Sequence, residues 1–131
     1  MNPRRFLIVA GEASGDMYGA EVARSLFRRF PDCTIHGLGG QRMRDAGVEL
    51  AGDISKTAVV GPFEMIGSLT ALYSVFRRLS DRIETEPPSA AILIDFPDFN
   101  LRLAKRVRDS GAPVIYYISP QVWPCREGRV N

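Results

Sequence analysis

Histidine, cysteine and lysine are scarce in this sequence, and each scarcity closes off a kind of chemistry. His36 is the only histidine, so a histidine-rich metal centre or a Ser–His relay has almost nothing to draw on. Cys33 and Cys125 stand far apart with no CxxC or Cys/His spacing, which argues against a zinc site and a disulfide framework. No apolar run approaches the roughly 20 residues of a transmembrane helix. The opening MNPRRFLIVAGEASGD sets basic residues before an apolar run. That run is about six residues long, too short for a signal-peptide core and strand-like in composition. A cytoplasmic chain is expected, with peripheral membrane contact left open.

What is present suits one globular domain. The chain has 131 residues, 45% of them hydrophobic and 24% charged, with a net charge of +2. Fifteen arginines stand against two lysines and are scattered over several segments, which does not make a nucleic-acid stripe. They suit phosphates or anionic headgroups as well as solvated helix faces.

Strand-like and helix-like segments alternate. Phe6 to Ala10 is a continuous apolar run ending at glycine, the pattern of a strand buried on both faces of a parallel sheet. From Asp16 to Phe30, Val22, Ala23, Leu26, Phe27 and Phe30 recur at helical spacing, with Arg24, Arg28 and Arg29 on the other side and Pro31 as the stop. Thr34 to Leu38 reads as a strand, Gln41 to Ala46 as a short helix closed by Gly47, and Val48 to Leu50 as a weaker strand. Met65 to Glu86 is the longest helical pattern, ended by Pro87-Pro88. Ala90 to Ile94, Leu101 to Ser110 and Val114 to Ile118 read as strand, helix and strand. The repetition predicts an α/β fold, a Rossmann-like doubly wound parallel sheet with right-handed crossovers.

Ligands of such sheets bind outside the carboxyl ends of the strands. Three loops there have unusual composition. The first, Gly11 to Asp16, resembles a phosphate loop but matches neither GxGxxG nor the P-loop pattern. Its carboxylates, Glu12 and Asp16, repel a pyrophosphate; with Ser14 they suit sugar hydroxyls, because ionised carboxylates accept strong hydrogen bonds. Equally, Ser14 can cap the following helix and Asp16 complement its dipole. In the second loop, Asp95 to Asn100, Pro97 forces Phe96 to be extended. Asp98 or Asn100 is the expected N-cap. Asp95 ends an apolar strand where active-site groups are carried, and is the favoured functional residue. The third loop sets Ser119, Gln121 and Trp123 beside Arg126 and Arg129, an aromatic face with planar donors. A lone tryptophan is more often core.

Together these loops resemble one family. AGEASGD after the first strand, G-x-G-G-x-x-M-x-x-x-G from Gly37 to Gly47, IDFPDFN from Ile94 to Asn100, and YYISPQVW with Arg126 and Arg129 are similar to lipid-A-disaccharide synthases, in that order. The resemblance implies a B-type glycosyltransferase with a Rossmann-like fold in each half. Such an enzyme transfers 2,3-diacylglucosamine from UDP to the 6-hydroxyl of 2,3-diacylglucosamine 1-phosphate, inverting the anomeric configuration and releasing UDP. It implies Asp95 as catalytic base. Glu12, Ser14, Asp16, Asn100, Ser119, Gln121, Trp123, Arg126 and Arg129 are the candidate substrate-binding residues. No metal or other cofactor is called for if cationic groups and helix dipoles hold the diphosphate, and no nucleic-acid partner is expected. Where the family usually has Trp-Ala-Trp, this chain has Trp123-Pro124-Cys125.

The resemblance covers the N-terminal third or so of a full-length enzyme. Residues 1–131 are therefore expected to form one truncated acceptor-binding domain, inactive without a donor-binding domain. A non-catalytic sugar- or lipid-binding module is the alternative; a nucleotide-dependent oxidoreductase is disfavoured by the glycine spacing. One further surface stands out. The apolar residues of the long helix span an arc of roughly 180°, wider than the ~100° that faces a core. Phe63, Met65, Ile66 and Leu69 carry the excess, and Arg77, Arg78 and Arg82 follow on the polar side. They are candidates for acyl-chain or anionic-membrane contact, placing the enzyme peripherally on the inner face of the inner membrane. Burial by neighbouring elements is the competing account.

Overall fold

Leu7, Ile8, Val9 and Ala10 have no exposed surface (0% each), as expected of a strand at the middle of a sheet covered on both faces. In the computed structural model, residues 3–54 and 62–117 are described, residues 62–68 by their backbone alone. Among the described residues, five strands and four helices alternate: β1 (Arg5–Ala10), α1 (Ala13–Arg29), β2 (Thr34–Gly39), α2 (Gln41–Asp45), β3 (Glu49–Asp53), α3 (Pro62–Thr85), β4 (Ala90–Ile94), α4 (Pro97–Asp109) and β5 (Val114–Tyr117). The strands form one sheet in the order β3-β2-β1-β4-β5. Every pairing is parallel. The fold is the expected Rossmann-like doubly wound sheet.

Strand alternation divides the core in two. Ile8, Ala10, Ile35, Ile92 and Ile94 meet Ala20 and Ala23 of α1 and Met43 of α2. Leu7, Val9, Leu38 and Leu93 meet Val75, Leu79 and Ile83 of α3 and Leu103, Ala104 and Val107 of α4. On the described part of α3, Val75, Leu79 and Ile83 are buried, while Leu69 and Tyr73 are 64% and 62% exposed. Two of its arginines reach β3. Arg78 donates to the Ala51 carbonyl oxygen (2.8 Å), and Arg82 pairs with Glu49 (2.9 Å) and Glu86 (3.2 Å).

Helix N-caps differ from expectation at two places, both at the sheet's carboxyl edge. The N-cap of α1 is Glu12, leaving Ser14 exposed inside the first turn, so Ser14 is not the cap. The N-cap of α4 is Phe96 with Pro97 next, so neither Asp98 nor Asn100 caps it. The reason is proline's fixed φ and missing N–H, which make the first helical position its natural place. The glycine stops behave as expected: Gly47 and Gly111 follow α2 and α4 with φ of 105° and 92°.

Candidate active site

From β1 the chain steps outward to β2 and β3, and α3 then carries it back to β4 on the other side of β1. That reversal opens a crevice between the carboxyl ends of β1 and β4, the place where doubly wound sheets bind ligands. Ala10 pairs with Ile94, so the Gly11–Asp16 and Asp95–Asn100 segments leave the sheet side by side.

The two segments pack closely through their glycines. A Cβ on Gly11 would fall 2.5 Å from the Phe96 ring, so only glycine lets the ring lie there. A Cβ on Gly15 would lie 3.1 Å from Ala10 Cβ and 3.2 Å from Ile94 Cγ2, which brings the first turn of α1 down over both strand ends.

Asp95 stands at the crevice with φ of 36°, the one positive φ among described residues other than glycine. Its N–H donates to the Tyr117 carbonyl oxygen at 3.1 Å, extending the β4–β5 ladder by one bond. The bend therefore follows directly on a hydrogen-bonded position, and the half-buried side chain leaves the strand direction there. Backbone held in a sparsely populated region costs about 1–3 kcal/mol and gathers at functional sites. Aspartate is among the few side chains that enter this region readily.

The other candidates divide. Glu12 and Ser14 are exposed at the crevice mouth. Asp16 is 6% exposed and turned away from solvent. Its Oδ1 accepts from the Gly40 N–H (2.7 Å) and the Met43 N–H (3.0 Å), and its Oδ2 from the Arg42 N–H (3.0 Å). Asp16 thus anchors the start of α2 to α1. Asn100 is 3% exposed, and its Oδ1 has no hydrogen-bond partner among the described residues. Ser119, Gln121, Trp123, Arg126 and Arg129 lie outside the described residues, as do the side chains of Phe63, Met65 and Ile66.

Two features escaped the sequence reading. Asp53 ends β3 buried and pairs with Arg44 of α2 (3.1 Å). Phe96 stacks on Phe99 (ring centroids 4.9 Å apart), and Phe99 meets Phe76 of α3 edge-on (5.4 Å). The one available signal was the i, i+3 pair of phenylalanines inside IDFPDFN. Among the described residues, no three His, Cys, Asp or Glu are grouped to hold a metal ion, and no helix is long and apolar enough to cross a membrane.

The sequence of the lipid-A-disaccharide synthetase family matches residues 6–131. The chain belongs to that family. Lipid-A-disaccharide synthases of Geobacter sulfurreducens and Myxococcus xanthus are 49% and 45% identical over 97% and 99% of this chain. The Coxiella burnetii enzyme is 40% identical over 100% of it. These matches take up 33%, 34% and 35% of the relatives, so the chain spans about a third of their length. Among solved structures, a ugt transferase from Siraitia grosvenorii in complex with UDP is similar, with a TM-score of 0.53 at 13% identity over 86% of this chain and 27% of that one. The C-terminal domain of a Pyrococcus furiosus hydrogenase gives a TM-score of 0.64 at 10% identity, over 87% of this chain and 91% of that domain. At such identities the likeness is one of fold. For this lipid-A-disaccharide synthetase family member, it agrees with the N-terminal half of a B-type glycosyltransferase.

Proposed function

We propose that this chain supplies the acceptor-binding half of a glycosyltransferase of lipid A biosynthesis, with Asp95 as the catalytic base. The observation that carries the reading is the placement of Asp95: a carboxylate on strained backbone (φ 36°) at the carboxyl end of β4, beside the β1 loop. In the proposed step, the 6-hydroxyl oxygen of a 2,3-diacylglucosamine 1-phosphate acceptor attacks the anomeric carbon of UDP-2,3-diacylglucosamine. Asp95 accepts the hydroxyl proton as the new C–O bond forms. The bond from the anomeric carbon to UDP breaks, UDP leaves with the electron pair, and the configuration inverts. Glu12 and Ser14 meet sugar hydroxyls at the crevice mouth, and Asn100, buried with an unpartnered carbonyl oxygen, is assigned to substrate with them. Asp16 serves the site by holding α2 in place. Ser119, Gln121, Trp123, Arg126 and Arg129 are assigned to substrate through the family resemblance.

The protein works peripherally on the inner face of the inner membrane in this reading, with exposed Leu69 and the neighbouring Phe63, Met65 and Ile66 segment toward the lipid. A segment spanning about a third of its relatives' length is expected to release no UDP from the two substrates by itself. The deciding experiment uses a two-domain enzyme carrying this segment. Asp95→Asn keeps the shape and removes the basicity, so kcat at saturating acceptor is expected to fall ~10²–10⁴-fold. A loss smaller than about threefold overturns the assignment; Asp98→Asn, four residues from the strand end, is the control.

A further inference from the structure

Beyond the crevice, on the α3–α4 side, lies a groove of about 320 Å³. Leu72, Tyr73 and Phe76 of α3 form one wall, with Phe96, Phe99 and Arg102 of the α4 segment forming the other. The only charged groups among its lining residues are Asp98 and Arg102, both exposed and both on α4. Apolar surface continues along α3: Tyr73 in the groove wall and Leu69, one turn before it, are 62% and 64% exposed. So much open apolar surface around one depression marks a binding site more often than chance exposure does.

We infer that this groove is the subsite for one fatty-acyl chain of the acylated sugar, with Phe96 as the partition between groove and crevice. The inference rests on the acceptor reading above and deepens it. Phe96 decides the choice of occupant. One side of its ring lies against Gly11 at the crevice, and it also lines the groove and stacks on Phe99. A sugar whose hydroxyl reaches Asp95 thus has an attached chain one ring's width from the groove. A flexible hydrocarbon matches walls that are almost wholly apolar, and the charged pair on one rim leaves room for the polar head. The floor is rigid where the chain lies, because Phe99 is held between Phe96 and Phe76.

The test uses the 131-residue chain and n-alkyl glucosides of eight to twelve carbons, each below its micellar concentration, with affinity read by calorimetry. Each methylene buried in the groove is expected to tighten binding about fourfold. Tyr73→Ser, at a position already mostly exposed, is expected to weaken the longer ligands at least tenfold while the melting temperature holds. Leu101→Ser, outside the groove, is expected to change nothing. Phe96→Ala, which removes a groove wall, is expected to weaken the glucosides of every length. Affinity independent of chain length, or equal losses in Tyr73→Ser and Leu101→Ser, overturns the inference. So does binding seen with phosphatidylglycerol vesicles and never with monomeric glucosides, which makes the surface a membrane face only. The catalytic reading fails separately: chain-length-dependent binding together with an undiminished Asp95→Asn enzyme retains the groove and removes the base.

Discussion

The ring of Phe96 occupies the space that a side chain on Gly11 would need, with the nearest ring atom 2.5 Å from where a Cβ would stand. This contact joins the loops after β1 and β4. Gly11→Ala is expected to displace the ring and destabilise the domain by about 1–3 kcal/mol, the usual cost of overpacking. Phe96→Ala in the same chain should recover part of that loss, because the clash then has no second partner. Urea denaturation of the two single variants and the double variant measures the coupling; additive losses would show that the ring does not press on Gly11.

Asp16 offers a second test. Its carboxylate accepts three backbone N–H groups at the start of α2. Asp16→Ala leaves those donors unpaired in a largely buried place, an expected loss of about 2–4 kcal/mol. Asp16→Asn keeps an acceptor oxygen and should lose less. Amide hydrogen exchange at Gly40, Arg42 and Met43 should accelerate in both.

Ser14 should behave in the opposite way. It is exposed and caps nothing. Ser14→Ala is expected to change stability by less than about 0.5 kcal/mol while weakening acceptor binding. Equal affinity in the two proteins would remove Ser14 from the site.

His36 predicts an acid-sensitive fold. It lies on β2 beneath α3, 2% exposed, with neither ring nitrogen partnered among the described residues. Burial lowers its pKa from 6.5 to about 4, assisted by Arg82 and Arg5 and opposed by Glu49 and Glu86. Between those two values the unfolded chain binds the proton and the folded chain does not, so stability falls as pH drops from about 6.5 to about 4. Below that window the whole penalty, on the order of 3 kcal/mol, is present. His36→Leu should flatten this limb and leave neutral-pH stability equal or higher, since two unpaired nitrogens disappear. Thermal melts across pH 4–7 would show it; an unchanged slope would place the acid sensitivity elsewhere.

β1 and β4 were legible because each is a short apolar run with a glycine or polar stop, whereas β3, read as Val48 to Leu50, runs from Glu49 to Asp53 and carries no such run. Sheet order was not legible, since nothing local in Ala90 to Ile94 says that it pairs with Phe6 to Ala10 rather than with β3. Asp95 could be singled out from its position at the end of an apolar strand, but its positive φ is visible only in three dimensions. Asp16 was read through its own helix, whereas its partners lie 24 to 27 residues away. Both missed helix starts had one cause. Ala13, Ser14 and Gly15 open α1 and Pro97 opens α4, and none of them contributes to the apolar stripe by which helices are recognised.

The backbone at Asp95 imposes two separate filters on that position. Conformation admits glycine, asparagine and aspartate, and penalises β-branched residues most heavily. Chemistry admits carboxylates, aspartate and glutamate. Only aspartate passes both. In a saturation library, sorting for folded protein should therefore enrich glycine and asparagine beside aspartate, while sorting for transfer in a two-domain enzyme should keep aspartate alone. Glutamate carries the right charge on the wrong backbone, and would be lost from both pools.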